Sequence, residues 1–220
     1  MIHPRLALVF DMDGVIVDSN RVHREAWRLH NLRHGLQTTE AMLRRMYGRR
    51  NDEIVRDFFG PHLSDAEAAT HGAAKEQIYR EIMASSLPAC LVRGVTEFLE
   101  KNTLNPVAMA TNAEPANVDF VLDRSGLRRF FRVVVNGHQV RRAKPDPEIY
   151  LRVAELLGVP AANCVVFEDS HAGVAAARGA GARVVALRTT HPEFPEADLV
   201  VDDFLCAELE RWLEEQRPVE

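Results

Sequence analysis

Cysteine is scarce in this chain of 220 residues: Cys90, Cys164 and Cys206 are odd in number, widely spaced and include no Cys-x-x-Cys pair. That argues against a disulfide framework and a thiolate zinc site, and points to a reducing compartment. Long apolar runs are missing as well. No stretch approaches the roughly 18 apolar residues that a membrane-spanning helix needs. The N-terminal Met1-Ile2-His3-Pro4-Arg5 leads into a strand too short to be a signal-peptide core. A soluble cytoplasmic protein without a membrane partner is the expectation. Nor is there a surplus of positive charge: the formal net charge is −5 with nine His counted neutral. Nucleic acid is therefore not expected as a partner, since binding to a phosphate backbone needs clustered Lys and Arg. Arg44, Arg45, Arg49 and Arg50 do cluster, and a solvated helix face explains them as well as binding does. Internal repeats, low-complexity linkers and a Gly-x-Gly-x-x-Gly turn after a strand are absent. Gly173, Gly179 and Gly181 read instead as close helix packing and a turn.

What is present begins with an apolar run, Leu6-Ala7-Leu8-Val9-Phe10, that ends abruptly in Asp11-Met12-Asp13-Gly14. Unalternating branched and aromatic residues fit a parallel strand covered on both faces. Asp18 or Ser19 can cap a helix that runs to about His34 with Gly35 as its terminator. Helical periodicity without a convincing strand continues to about Pro88, with segments near 39–47, 52–59 and 64–86 and a capping box at Ser64-x-x-Glu67. Beyond Pro88, helices and short apolar runs alternate: strands are expected at 107–110, 133–135, 164–167, 184–187 and 199–201. Helices are expected at 94–101, 116–125, 147–157 and 171–179, with a closing helix at 207–213 that turns Leu209, Trp212 and Leu213 inward. Such alternation predicts an α/β fold with right-handed crossovers and a mostly parallel sheet. The division read from this is a catalytic core of residues 1–17 and 89–220 with an all-helical insertion at 18–88. With 46% hydrophobic residues the chain is ample to bury such a core.

Three of the strands end in polar residues whose chemistries complement one another. These are Asp11 and Asp13 after the first, Thr111-Asn112 after the second, and Glu168-Asp169-Ser170 after a later one. Lys144 lies between the last two, in Ala143-Lys144-Pro145-Asp146-Pro147. In a parallel sheet these ends share an edge, and ligands gather there. Four converging carboxylates would repel one another, so they call for a hard divalent cation, most simply Mg²⁺, together with the Lys ammonium. A metal beside Thr, Asn and Lys donors makes a phosphate site. One Asp can then attack phosphorus while its neighbour two residues on handles protons.

These four stretches, with Asp11-Met12-Asp13-Gly14-Val15 first and Lys144-Pro145 third, resemble the ordered motifs of the haloacid dehalogenase-like hydrolase superfamily. The resemblance spans nearly the whole chain and implies a Rossmann-like three-layer core with a helical cap inserted after the first motif. It implies Asp11 as nucleophile and Mg²⁺ ligand, and Asp13 as general acid and base whose main-chain carbonyl reaches the metal. Thr111 and Asn112 would bind the phosphoryl group, Lys144 would offset charge, and Asp169 with Glu168 would complete the metal site. His23-x-x-Ala26-Trp27 and Glu168-Asp169-Ser170-x-x-Gly173 resemble the beta-phosphoglucomutase-like branch and its related sugar phosphatases. By that comparison His23 would help Asp13 exchange its proton, and Arg49 and Arg50 would contact a distal hydroxyl or phosphate.

Two departures favour hydrolysis over mutase action. Glu114 stands where the mutase has a Lys for a second phosphate, and Asn51 stands where its cap loop has an Arg. The expected protein is a Mg²⁺-dependent phosphatase of a small phosphorylated metabolite, a sugar phosphate, and a monomer or weak dimer. A sugar phosphate mutase is the runner-up, and a silent binding protein of the same fold the third reading. His30 and His34, four apart, could ligate zinc. Without a third ligand in the pattern they read as one face of an amphipathic helix. His171 reads as first-turn surface near the metal, and Trp27 and Trp212 as packing residues of cap and tail.

Overall fold

The computed structural model describes residues 6–216, so the stretch 1–5 expected to lead into the first strand lies outside the described residues. Among the described residues the strands are β1 (Ala7–Phe10), β2 (Val107–Ala110), β3 (Val133–Val135), β4 (Cys164–Glu168), β5 (Arg183–Leu187) and β6 (Leu199–Val201). They form one sheet in the order β3-β2-β1-β4-β5-β6, and every pairing is parallel. β1 lies at the centre, which is why its residues are apolar on both faces: Leu8 and Phe10, with Leu6 just before the strand, join one buried cluster while Ala7 and Val9 join the other.

The helices that cover the sheet account for those two clusters. On the Phe10 face lie α6 (Val95–Lys101), α7 (Pro115–Ser125) and α10 (Ala207–Glu215), which contribute Phe98, Val121 and Leu209. Phe10 stacks on Phe167 with ring centres 4.6 Å apart. On the Val9 face lie α8 (Glu148–Leu157) and α9 (His171–Gly179), which contribute Ile149, Val153 and Val174. In α10, Leu209 and Leu213 are buried while Trp212 is only partly so.

Between β1 and β2 come helices only: α1 (Asn20–Arg33), α2 (Glu40–Arg44), α3 (Asn51–Phe59), α4 (Asp65–Met83) and the short α5 (Leu87–Cys90) precede α6. They bury a cluster of their own around Trp27, Leu43, Ile54, Val55 and Phe58. The expected capping box holds α4: Ser64 accepts from the Glu67 amide, and the Glu67 carboxylate accepts from the Ser64 amide. Ser19 does not cap α1, because its hydroxyl donates to Asp13 instead, 2.5 Å away. The expectation of a side-chain cap is therefore corrected: a buried carboxylate competes successfully for that hydroxyl. α5 was not anticipated from the sequence, since Pro88 reads as a boundary; in the structure it lies in the first turn, where a missing N–H costs nothing.

The chain leaves and rejoins the sheet layer along adjacent paths. Val17 bridges Leu91 antiparallel, the Asp18 amide donates to the Cys90 carbonyl (2.7 Å), and the Val92 amide donates to the Ile16 carbonyl (3.0 Å). No helix among the described residues is long and apolar enough to cross a membrane. All three Cys are free.

Candidate active site

The register of the sheet assembles the site. Phe10 pairs with Phe167 and with Met109, so one residue further Asp11 stands level with Glu168 and with Ala110, just short of Thr111. The Lys144 ammonium reaches into this edge from the loop after β3. It donates to Asp11 Oδ1 (2.9 Å), Glu168 Oε1 (2.6 Å) and the Ala110 carbonyl (2.9 Å). Glu168 is fully enclosed and both its oxygens are engaged. Oε1 also accepts from the Tyr150 hydroxyl (2.5 Å), and Oε2 accepts from the Asp169 amide (3.1 Å) and the Ser170 hydroxyl (3.1 Å). Asp169 accepts from the Thr190 hydroxyl, to which Asn20 donates at 2.6 Å. Gly14 turns the chain at φ +78°, and a Cβ on it would overlap the Asp169 carboxylate. Only glycine meets both demands.

Burial and like charge dominate this edge. Burial, with the charges of Glu168 and Asp13 and against the pull of Lys144, pushes Asp11 up to about 7. Burial with Glu168 and Asp11 likewise pushes Asp169 well above the carboxylate range. Lys144 itself would be lowered by burial, but Asp11 and Glu168 raise it on balance. Carboxylate oxygens of Asp11, Glu168 and Asp169 lie within 4.8 Å of one another. One ammonium leaves three buried carboxylates undercompensated, so the donor set, hard oxygens carrying excess negative charge, fits a divalent cation such as Mg²⁺.

Asp13 stands in different surroundings. Its Oδ1 accepts from Ser19, and His23 Nε2 lies 3.2 Å away. Burial would raise Asp13, yet the charge of His23 and these hydrogen bonds hold it below its ordinary value. His23 is gripped in turn: its ring stacks on Tyr79 at 4.1 Å, and Lys75 Nζ lies 2.7 Å from its Nδ1. Lys75 also donates to Glu76 (2.8 Å), and Glu76 accepts from Asn51 (2.7 Å) and Asn117 (2.7 Å). Burial would raise Glu76, but the charges of Lys75 and His23 and the hydrogen bonds from Lys75 and Asn51 bring it down to about 2.

A cavity is bounded by Asp11, Asp13, Thr111, Lys144 and Asp169 on the sheet side and by His23, Arg49, Asn51, Lys75 and Glu76 on the helical side. The Thr111 hydroxyl oxygen accepts from the Ala113 amide (3.1 Å), which leaves its proton to give. Asn112 Nδ2 donates across to the Gly48 carbonyl (2.8 Å), tying the loop after α2 to the sheet edge. Arg49 lines the cavity, with its guanidinium on Glu53 (3.3 Å) and Asp57 (3.3 Å). Arg50 does not line it; it lies against Asp52 at 3.5 Å. With Arg45 on Asp57 (3.0 Å), this basic cluster is largely paired within the helical layer. Glu114 holds Arg80 at 2.7 Å, and that guanidinium also donates to Asn117 (2.7 Å).

Lys75 and Glu76 were not singled out from the sequence, although a signal existed. The buried face of α4 runs Ala68, Gly72, Lys75, Glu76, Tyr79 and Met83, an amphipathic stripe with two adjacent charges set into it. Charges in such a stripe are buried only when paired.

A parallel sheet flanked by helices, with carboxylates, Thr111 and Lys144 gathered at its carboxyl edge under a helical layer, defines an α/β protein with a candidate active site at that edge. Residues 6–181 match the family model of haloacid dehalogenase-like hydrolases. The chain is 34% identical over 215 residues to the protein CbbY of Rhodobacter capsulatus, covering 91% of this chain and 94% of that protein. It is 34% identical over 184 residues to the fructose-1-phosphate phosphatase YqaB of Escherichia coli, covering 82% of this chain and 95% of that one. A crystal structure of CbbY from Rhodobacter sphaeroides, in complex with xylulose-1,5-bisphosphate, superposes with a TM-score of 0.80 at 27% identity, covering 91% of this chain and 95% of that one. The chain belongs to the haloacid dehalogenase-like hydrolase family, and sugar phosphatases are among its relatives.

Proposed function

We propose that the protein is a Mg²⁺-dependent phosphatase that hydrolyses a small sugar phosphate through a phosphoaspartate on Asp11. The observation that carries this reading is the contrast between two carboxylates at one cavity edge. Asp11 is presented beside Lys144, while Asp13, two residues on, is hydrogen-bonded to Ser19 and His23. In the division proposed here, residues 1–17 and 89–220 are the core and 18–88 the cap.

The Asp11 oxygen not bound to Lys144 attacks phosphorus, and the bond to the sugar oxygen breaks. Thr111 and Lys144 steady the transferring group. The leaving oxygen takes its proton from Asp13, which receives it from His23 as the substrate's negative charge raises the carboxylate's proton affinity. Asp13 then takes a proton from one water, whose oxygen bonds to phosphorus as the bond to Asp11 breaks and that carboxylate is restored, and Asp13 returns the proton to His23, which resets both groups. Asp11, Asp169 and the Asp13 carbonyl would hold the Mg²⁺, with Glu168 lending charge rather than a free oxygen. The ion, when bound, offsets the carboxylates and polarises the phosphoryl oxygens.

Glu76 bears on the substrate. An ionised carboxylate flanked by Asn51 and Asn117 suits sugar hydroxyls and repels a second phosphate. The mutase, the runner-up, needs a free cation for that second phosphate, and Arg49 is already paired with Glu53 and Asp57.

Phosphorus NMR with Mg²⁺ and a panel of hexose and pentose phosphates, with and without a trace of sugar bisphosphate, tests the reading. Inorganic phosphate is expected from one or a few sugars, and is abolished by chelator and by Asp11→Asn. Conversion of a 1-phosphate to a 6-phosphate only with bisphosphate present would make the protein a mutase. Undiminished release by Asp11→Asn would overturn the mechanism, and no turnover of any phosphate would favour the binding-protein reading.

A further inference from the structure

The third histidine missing from the α1 pattern comes from a different helix. His30 and His34 project from α1 and its C-terminal end, and His71 meets them from α4; each offers a ring nitrogen, and all three lie within 4.8 Å of one another. His30 Nε2 and His71 Nδ1 are 3.0 Å apart. The rings of His34 and His30 are centred 4.7 Å apart, and those of His34 and His71 4.6 Å apart. Phe59 closes one side by stacking on His71 at 4.5 Å and meeting His30 and His34 edge-on. His30 is buried, His71 half-buried and His34 exposed, so the cluster has a rigid floor and an open mouth.

We propose that His30, His34 and His71 form a second metal site, for Zn²⁺ or a similar transition ion, on the part of the helical layer away from the catalytic cavity. Imidazole nitrogens suit Zn²⁺, Cu²⁺ and Ni²⁺, whereas Mg²⁺ demands oxygen, so the two clusters sort their ions by donor chemistry. Three histidines with a fourth position facing solvent leave that position to water. The nearest carboxylate on α4, Glu67 one turn before His71, is occupied by the Ser64 cap.

The ion staples α1 to α4, the same two helices whose other turns carry the catalytic groups. His23 precedes His30 by two turns on α1, and Lys75 follows His71 by one turn on α4. Occupancy at the histidines therefore fixes the helix pair that presents Lys75 to His23 and His23 to Asp13.

The test uses the untagged full chain, stripped with chelator and then held in excess Mg²⁺ to saturate the acidic cluster. Zn²⁺ uptake is followed by calorimetry, and Co²⁺ uptake by its visible ligand-field absorption. Stoichiometric binding is expected in the parent, with a rise in melting temperature on adding Zn²⁺. His34→Ala and His71→Ala should each weaken binding by at least the 10–100-fold, roughly, that losing even a supporting contact costs such sites. His34 is exposed, so His34→Ala retains the fold, and its metal-free melt should match the parent's. Absence of uptake in the parent overturns the proposal. So does binding that survives both substitutions, or that Mg²⁺ displaces, since either would place the ion elsewhere.

Discussion

Lys144 stands between Asp11 and Glu168, 2.9 Å from one and 2.6 Å from the other, with its ammonium almost wholly buried. The nucleophile proposed here is thus one end of a buried charge triad and has no charge partner from bulk solvent. Removing one partner of a buried ion pair is costly because the charge left behind has no water to turn to.

Lys144→Met should therefore lower stability by about 3–5 kcal/mol in the presence of chelator. Urea unfolding above pH 8, where Asp11, pushed up to about 7, is ionised in the parent, measures this. Turnover should fall by about 10²–10³-fold, the cost of losing one preorganised donor at the reacting group. A variant as stable as the parent would mean that Asp11 and Glu168 are not both charged.

His23→Gln tests the proton route. The charge and hydrogen bond of His23 hold Asp13 low, so removing the imidazole should move the acid limb of the kcat/KM profile to higher pH. kcat should fall more than KM rises. A profile that only scales down, with its limb unmoved, would make His23 a packing residue.

Glu76 carries the acid sensitivity of the helical layer. Its folded pKa is depressed from 4.5 to about 2, so in that interval the unfolded chain binds more protons. The stabilisation it gives is fully present above pH 4.5 and is lost as pH falls through 2. At neutral pH it amounts to at most about 3 kcal/mol. Glu76→Gln should be less stable than the parent at pH 7, with the gap closing as pH drops toward 2. Chemical denaturation across pH 2–7 reads this difference directly.

Gly173→Ala should run against the usual sign. In an ordinary helix that change stabilises by about 0.5–1 kcal/mol. Here a Cβ would overlap the Glu168 carboxylate, so a loss of about 1–3 kcal/mol is expected from overpacking. Urea unfolding distinguishes gain from loss, and a gain would mean that α9 does not press on Glu168.

The core was legible because its signals are local and the sheet is regular. β2, β3 and β6 span the residues that their apolar runs marked, and three polar strand ends met at one edge because parallel strands in register must bring them there. The helical layer was less legible. Ser19 was read from its neighbours along the chain, yet its hydroxyl serves Asp13 across a turn. The stripe on α4 marks Lys75 and Glu76 as buried, but their partners His23, Asn51 and Asn117 come from other helices, which no periodicity records. His71 likewise joins His30 and His34 from another helix. Arg49 and Arg50, adjacent in sequence, part company because the start of α3 turns only the first toward the cavity.

The paired paths at Ile16–Asp18 and Cys90–Val92 make the helical layer a plug-in part. Its two ends are fastened side by side, so the sheet is closed at that point whatever lies beyond. Helices there can lengthen, swap or retune their inward side chains without altering the register of β1 with β2 or β4. A lineage can thus exchange one substrate for another while the chemistry proposed at Asp11, Thr111, Lys144 and Asp169 stays as it is. Such a joint separates invention from conservation within one chain.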